Sequence, residues 1–165
     1  MRVWTIAASL ILTACESEPT PAEQARLDEA AVAEVEANQI PPADMVMPEP
    51  ISQQDIERRD MSGLGCSFVA KAGGVDPMAV TMSRTAYMKI DGEIEQFAAD
   101  AGSAESVMGT RTKYDGGRHS LRLLVQNRDG VKTSSDTVEY DARLVLRDGR
   151  DRVVYDTTGK AKCGD

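Results

Sequence analysis

Val138-Glu139-Tyr140-Asp141-Ala142-Arg143-Leu144-Val145-Leu146, VEYDARLVL, alternates with a period of two. Val138, Tyr140, Ala142, Leu144 and Leu146 fall on one side and are all apolar, while Glu139, Asp141 and Arg143 fall on the other. Successive side chains of an extended chain point to opposite faces, so this run predicts a strand with one buried face and one wet face. That pattern favours an antiparallel sheet over a parallel one, whose strands are covered on both sides.

The neighbouring sequence repeats the signal. Leu121, Leu123 and Val125 alternate in the same way upstream. Between the two runs, Asn127-Arg128-Asp129-Gly130 reads as a loop, and Asp148-Gly149-Arg150-Asp151 turns the chain into Arg152-Val153-Val154-Tyr155. Further back, Tyr87-Met88-Lys89-Ile90 and Glu93-Ile94-Glu95-Gln96-Phe97 flank Asp91-Gly92. Asp-Gly tolerates the positive φ of a two-residue hairpin turn, so these segments predict a hairpin. About seven or eight strands follow at this spacing, with no helical period after Met61, which predicts a small all-β sandwich or barrel over residues 61–165.

Composition divides the chain. Residues 16–60 hold 12 Asp and Glu against three Arg, whereas residues 61–165 hold 15 acids and 15 bases. The acidic segment has no aromatic residue and contains six of the seven prolines. Low hydrophobicity with high net charge predicts a tether over residues 15–60, disordered or partly helical. Within it, Thr20, Pro21 and Glu23 form a helix-start signature, and Pro41-Pro42 a stop. Ala25, Leu27, Ala31, Val32 and Val35 make a weak apolar stripe. The expectation is therefore a frayed, solvated helix from Pro21 to Asn38.

The first residues carry an address. Met1-Arg2 is a short positive start, Val3 to Leu12 is apolar, and Thr13-Ala14 are small. This is the pattern of a secretory signal peptide over residues 1–14, too short in its apolar core to span a bilayer. Leu12-Thr13-Ala14-Cys15 resembles the lipobox of bacterial lipoproteins. The resemblance implies cleavage before Cys15, a diacylglycerol on its thiol and an acylated (palmitate-type) amine, hence a membrane partner through the lipid. In that family Asp directly after the cysteine retains the protein in the inner membrane. Glu16 stands there, which implies the outer membrane, facing the periplasm.

Export also bears on the other two cysteines. Cys66 and Cys163 lie near the two ends of the β region, and no histidine at ligand spacing accompanies them. In an oxidising compartment that arrangement predicts a disulfide, not a metal site. The mature β region has only two Phe and four Tyr, so a covalent staple compensates for a thin aromatic core.

Catalytic signals are few. His119 is the only histidine, and Ser120 beside it would point to the opposite face of a strand, so His119 is expected to be a solvated loop residue. No phosphate-cradling glycine pattern and no calcium loop occurs, and the sequence predicts no catalytic residue, metal or cofactor. The acidic balance and the export signal argue against a nucleic-acid partner. What remains is a noncatalytic envelope protein acting as a binding or structural module, and not an enzyme.

Residues 87–126 are also similar to the core of the membrane-bound inhibitors of C-type lysozyme. The likeness rests on AYMKIDGEIEQF and on TKYDGG followed by a strand. It implies a barrel whose 110–114 loop enters the cleft of a lysozyme-like hydrolase, the alternative function. Thr110 would take the place of that family's serine, Arg111 of its glycine and Tyr114 of its tyrosine. Lys113 and Arg128 would supply cations.

Overall fold

The computed structural model describes residues 19–39 and 41–164. Residues 1–18, which hold the expected signal peptide and Cys15, lie outside the described residues. The chain forms two separate units, with the boundary between Pro42 and Ala43.

The first unit is described by one helix, α1, Pro21–Gln39. It starts where the sequence places it, for the expected reason. The Thr20 N–H and hydroxyl both donate to Glu23 Oε2, at 2.9 and 2.7 Å, and the Glu23 N–H donates to Thr20 Oγ1 at 3.3 Å. This reciprocal capping satisfies helix-end donors, and it lowers the Glu23 carboxyl pKa. None of its residues is buried.

The second unit is an antiparallel barrel. Its strands are β1 Gly65–Ala70, β2 Ala79–Met82, β3 Thr85–Ile90, β4 Glu93–Ala99, β5 Lys113–Asp115, β6 His119–Val125, β7 Val131–Lys132, β8 Thr137–Asp148 and β9 Val153–Gly164. They are ordered β6-β5-β4-β3-β2-β1-β9-β8-β7, and pairing of β6 with β8 closes eight of them into a ring. β7 is the extra strand, paired to the start of β8 beyond the end of β6. Of the two architectures the alternation allowed, the closed one is adopted. Closure removes the free edges that a two-sheet stack would leave.

The alternation behaves as read. Tyr140, Ala142, Leu144 and Leu146 are buried, as are Leu121 and Leu123, which face Leu146 and Leu144 across the β6–β8 register. With Phe68, Met88, Ile90, Phe97, Tyr114 and Val154 they fill the interior. Each large apolar side chain removed from water contributes about 1.5–3 kcal/mol. Val145, on the outward parity, is nevertheless only 6% exposed. It lies in register between Arg122 and Asp156 on the neighbouring strands.

The β3–β4 hairpin turns through Asp91 and Gly92 with φ of 51° and 78°, the left-handed pair that an Asp-Gly turn supplies. Cys66 and Cys163 are directly opposed on β1 and β9, 4.0 Å apart at Cα, and form a disulfide inside the barrel. It bridges the seam where the first and last strands meet.

The expected boundary at Met61 is corrected. The folded unit starts at Ala43, because residues 43–61 are strapped across the barrel. The N–H groups of Val46, Glu49 and Ile51 donate to the carbonyls of Val154, Lys89 and Pro77, at 3.0, 2.9 and 2.8 Å. A short helix, α2 Gln53–Arg59, follows, with a capping box between Ser52 and Asp55. Ile51 and Met61 pack with Val80 and Tyr87 on the outside of β2 and β3, beside Ile56, Met82 and Ile94. The outward faces of these strands are apolar because the strap covers them. Asp55 completes the attachment: its buried carboxylate bonds to Ser52 Oγ at 2.7 Å, Arg58 at 2.6 Å and Lys89 at 3.3 Å.

Candidate functional site

The 110–114 loop does not present the side chains its resemblance implied. Tyr114 pairs with Leu121 across β5 and β6, which puts the ring on the core face, and it is fully buried. Its hydroxyl accepts from the Arg111 N–H and donates to the Met82 carbonyl, both at 2.8 Å. Burial raises the phenol pKa above its ordinary value. Thr110 is 1% exposed, and its hydroxyl donates to the Val107 carbonyl at 2.7 Å. Both residues therefore hold the loop to the barrel, and neither reaches solvent.

The three cations stay near the rim but are engaged. Arg111 Nη1 donates to the Ser103 carbonyl at 3.0 Å, and Arg128 Nη2 to the Glu105 carbonyl at 3.3 Å. The second bond brings Arg128 to the 103–113 segment. Lys113 sits between Asp115 at 3.0 Å and Asp100 at 3.2 Å, and the two carboxylates raise its pKa. The loop is stapled from within, by a 3₁₀ turn at Val107–Gly109 whose Val107 and Met108 pack against the core.

The opposite end of the barrel holds a polar cluster that the sequence did not reveal. His119 was expected to be a solvated loop residue. It begins β6 instead, its side chain 11% exposed, with Nδ1 2.9 Å from Glu95 Oε2. The cause is register: His119 shares the inward parity of Leu121, and Glu95 that of Phe97, so both fall at the mouth. In the β6–β8 register His119 faces Asp148, whose carboxylate accepts from Arg152 Nε at 2.7 Å and from the N–H groups of Arg150 and Arg152. Those bonds hold the Asp148 carboxyl at a pKa of about 2. The Glu95–His119 and Asp148–Arg152 pairs close the mouth with satisfied polar groups, which explains how a small barrel ends its core without exposing Phe97 or Leu121. Ser120 points away from His119, so the two form no nucleophile–base pair.

The third feature is a groove of about 490 Å³ running over β1, β9 and β8. Ala70, Gly159 and Ala142 stand level with one another at its floor, on the parity that faces the barrel interior. Gly159 is required there, because a Cβ would fall 2.1 Å from the Val69 carbonyl oxygen. Around these small residues stand Val69, Lys71, Gln126, Glu139, Asp141, Lys160 and Lys162. Lys160 lies 3.0 Å from Asp141 and 3.6 Å from Glu139, and Asp141 is the main cause of its raised pKa. Sequence reading missed the groove because its members come from four distant segments. The only local hint was the run Thr158-Gly159-Lys160-Ala161-Lys162, which places two lysines on one outward face.

Among the described residues, no group of three or more His, Cys, Asp or Glu side chains could hold a metal ion. No described helix is long and apolar enough to cross a membrane. No family model, curated protein or solved structure matches this chain.

Proposed function

We propose that this chain is a lipid-anchored protein of the bacterial cell envelope whose barrel is a noncatalytic binding or structural module. The observation that carries the proposal is Leu12-Thr13-Ala14-Cys15 at the end of a short apolar run. The disulfide supports it, because disulfides persist in compartments beyond the cytoplasm. Two or more acyl chains on Cys15 would hold the protein to a bilayer, each buried CH₂ contributing about 0.8 kcal/mol. Glu16 favours the outer membrane, facing the periplasm. Helix α1, with 19 residues, would then act as a solvated spacer about 28 Å long. Lysozyme recognition through the 110–114 loop is not part of the proposal, since Thr110 and Tyr114 are spent inside the fold.

Metabolic labelling with a radioactive fatty acid tests the anchor. Wild-type protein should take up label and lose residues 1–14, and Cys15→Ser should stay unlabelled at precursor size. Label retained by the Ser variant, or an unlabelled wild type, would overturn the proposal.

A further inference from the structure

Helix α1 buries none of its own residues, but its larger aliphatic side chains are gathered on one side. At about 3.6 residues per turn, Leu27, Ala31, Val32 and Val35 fall within an arc of about 140°. Leu27, Val32 and Val35 are 58, 57 and 55% exposed. Glu23 and Glu34 border that arc on one side, and Glu29 and Glu36 on the other. Gln24 and Asp28, joined by a hydrogen bond of 2.9 Å, bound it toward the N-terminus. The opposite face carries Ala30, Ala33, Ala37 and Arg26.

Helix stability does not explain where the carboxylates sit. Acids favour the first turn, where Glu23 caps Thr20, and are disfavoured at the C-terminal end of the macrodipole. Glu36 nevertheless lies in the last turn, just after Glu34, and that turn holds no basic residue. Glu29, Glu34 and Glu36 have no hydrogen-bond or ion-pair partner among the described residues. In the same half of the helix, Ala31, Val32, Val35 and Glu36 line a shallow recess.

Charge decides among the occupants of this face. The helix holds five carboxylates against one arginine, so a second copy would bring an equally acidic surface. An anionic bilayer surface repels it for the same reason. An apolar groove bordered by cations complements both features, since the aliphatic side chains enter the groove and the flanking carboxylates meet its rim.

We propose that α1 is a docking helix, seated through Leu27, Val32 and Val35 in an apolar groove of another protein whose rim carries Lys or Arg. The proposal goes beyond the anchor and the barrel and depends on neither.

A benzophenone amino acid is placed at Val32 or at Ala30 of the full chain and irradiated in the cells that make it. The probe at Val32 should link to one protein, through a segment containing Lys or Arg that mass spectrometry identifies, and the probe at Ala30 should not. The full chain is then titrated into that purified protein. Glu34→Gln combined with Glu36→Gln should weaken binding about fivefold, the contribution of two exposed ion pairs. Leu27→Ala should weaken it too. Circular dichroism separates docking from folding: the double Gln variant should keep or gain helix, because acid is removed from the C-terminal half. Equal links from both faces, no link from either, or a linked segment without cations would each overturn the proposal. So would binding that the double variant leaves unchanged, or helix that it loses.

Discussion

Ile51→Ala probes whether residues 43–61 belong to the fold or merely trail from it. Ile51 is fully buried, and its partners Met61, Val80 and Tyr87 come from three separate parts of the chain. Its backbone N–H is tied to the Pro77 carbonyl at 2.8 Å, so the main chain cannot collapse into the space that truncation leaves. Ile→Ala in such a site costs about 2–5 kcal/mol, and limited collapse argues for about 3 or more. Unfolding entropy near 2.1 cal/mol/K per residue gives about 0.25 kcal/mol/K for a unit of roughly 120 residues. The expected fall in Tm is therefore about 12 °C or more. Thermal unfolding by circular dichroism on the full chain measures it, with Met45→Ala as control because Met45 is 70% exposed. Hydrogen exchange at Val46, Glu49 and Ile51 should quicken in the Ile51 variant if the strap loosens. If the two variants melt within about 2 °C of each other, well inside what a lost core side chain produces, the strap is not part of the cooperative unit.

Two more predictions follow from the same structure. Unfolding in denaturant with reductant, then refolding reduced, should lower stability by about 4 to 5 kcal/mol, the loop entropy expected for the 97-residue separation of Cys66 and Cys163. Equal midpoints for oxidised and reduced protein would contradict this. Asp55 and Asp148 both have carboxyl pKa values depressed on folding, Asp55 first by its bond to Ser52 and then by Arg58, Asp148 first by Arg152. Their stabilisation is present above the ordinary carboxylate pKa and is lost as pH falls; for Asp148 the window runs from 3.8 down to about 2. Asp55→Asn should be less stable at neutral pH and should show a shallower loss on acidification. An acid limb as steep as wild type in urea titrations would show that Asp55 does not contribute it.

Local pattern was enough to specify β3, β4, β6, β8 and the start of β9 in the barrel, but not β1, β2, β5 or β7. The Val138–Leu146 alternation, the Asp91-Gly92 turn and the Thr20–Glu23 cap are all local, set by backbone geometry within a few residues. The pairing of Cys66 with Cys163 was legible because few other partners existed, although their direct opposition on β1 and β9 was not. Whether the strands stack as two sheets or close as one ring depends on the β6–β8 pairing, a register accumulated around the whole barrel. That same register carries Tyr114 inward opposite Leu121, and it puts His119 at a mouth beside Glu95. Three-residue β5 is too short to declare its own parity. The strap was hidden for a different reason. Its composition is that of a solvated tether, and Ile51 or Asp55 gains a role only once the outer faces of β2 and β3 exist to receive them. Local pattern sets which residues form strands, whereas burial, contact and the groove depend on which distant strands close the ring, a choice made by summed packing over the whole chain.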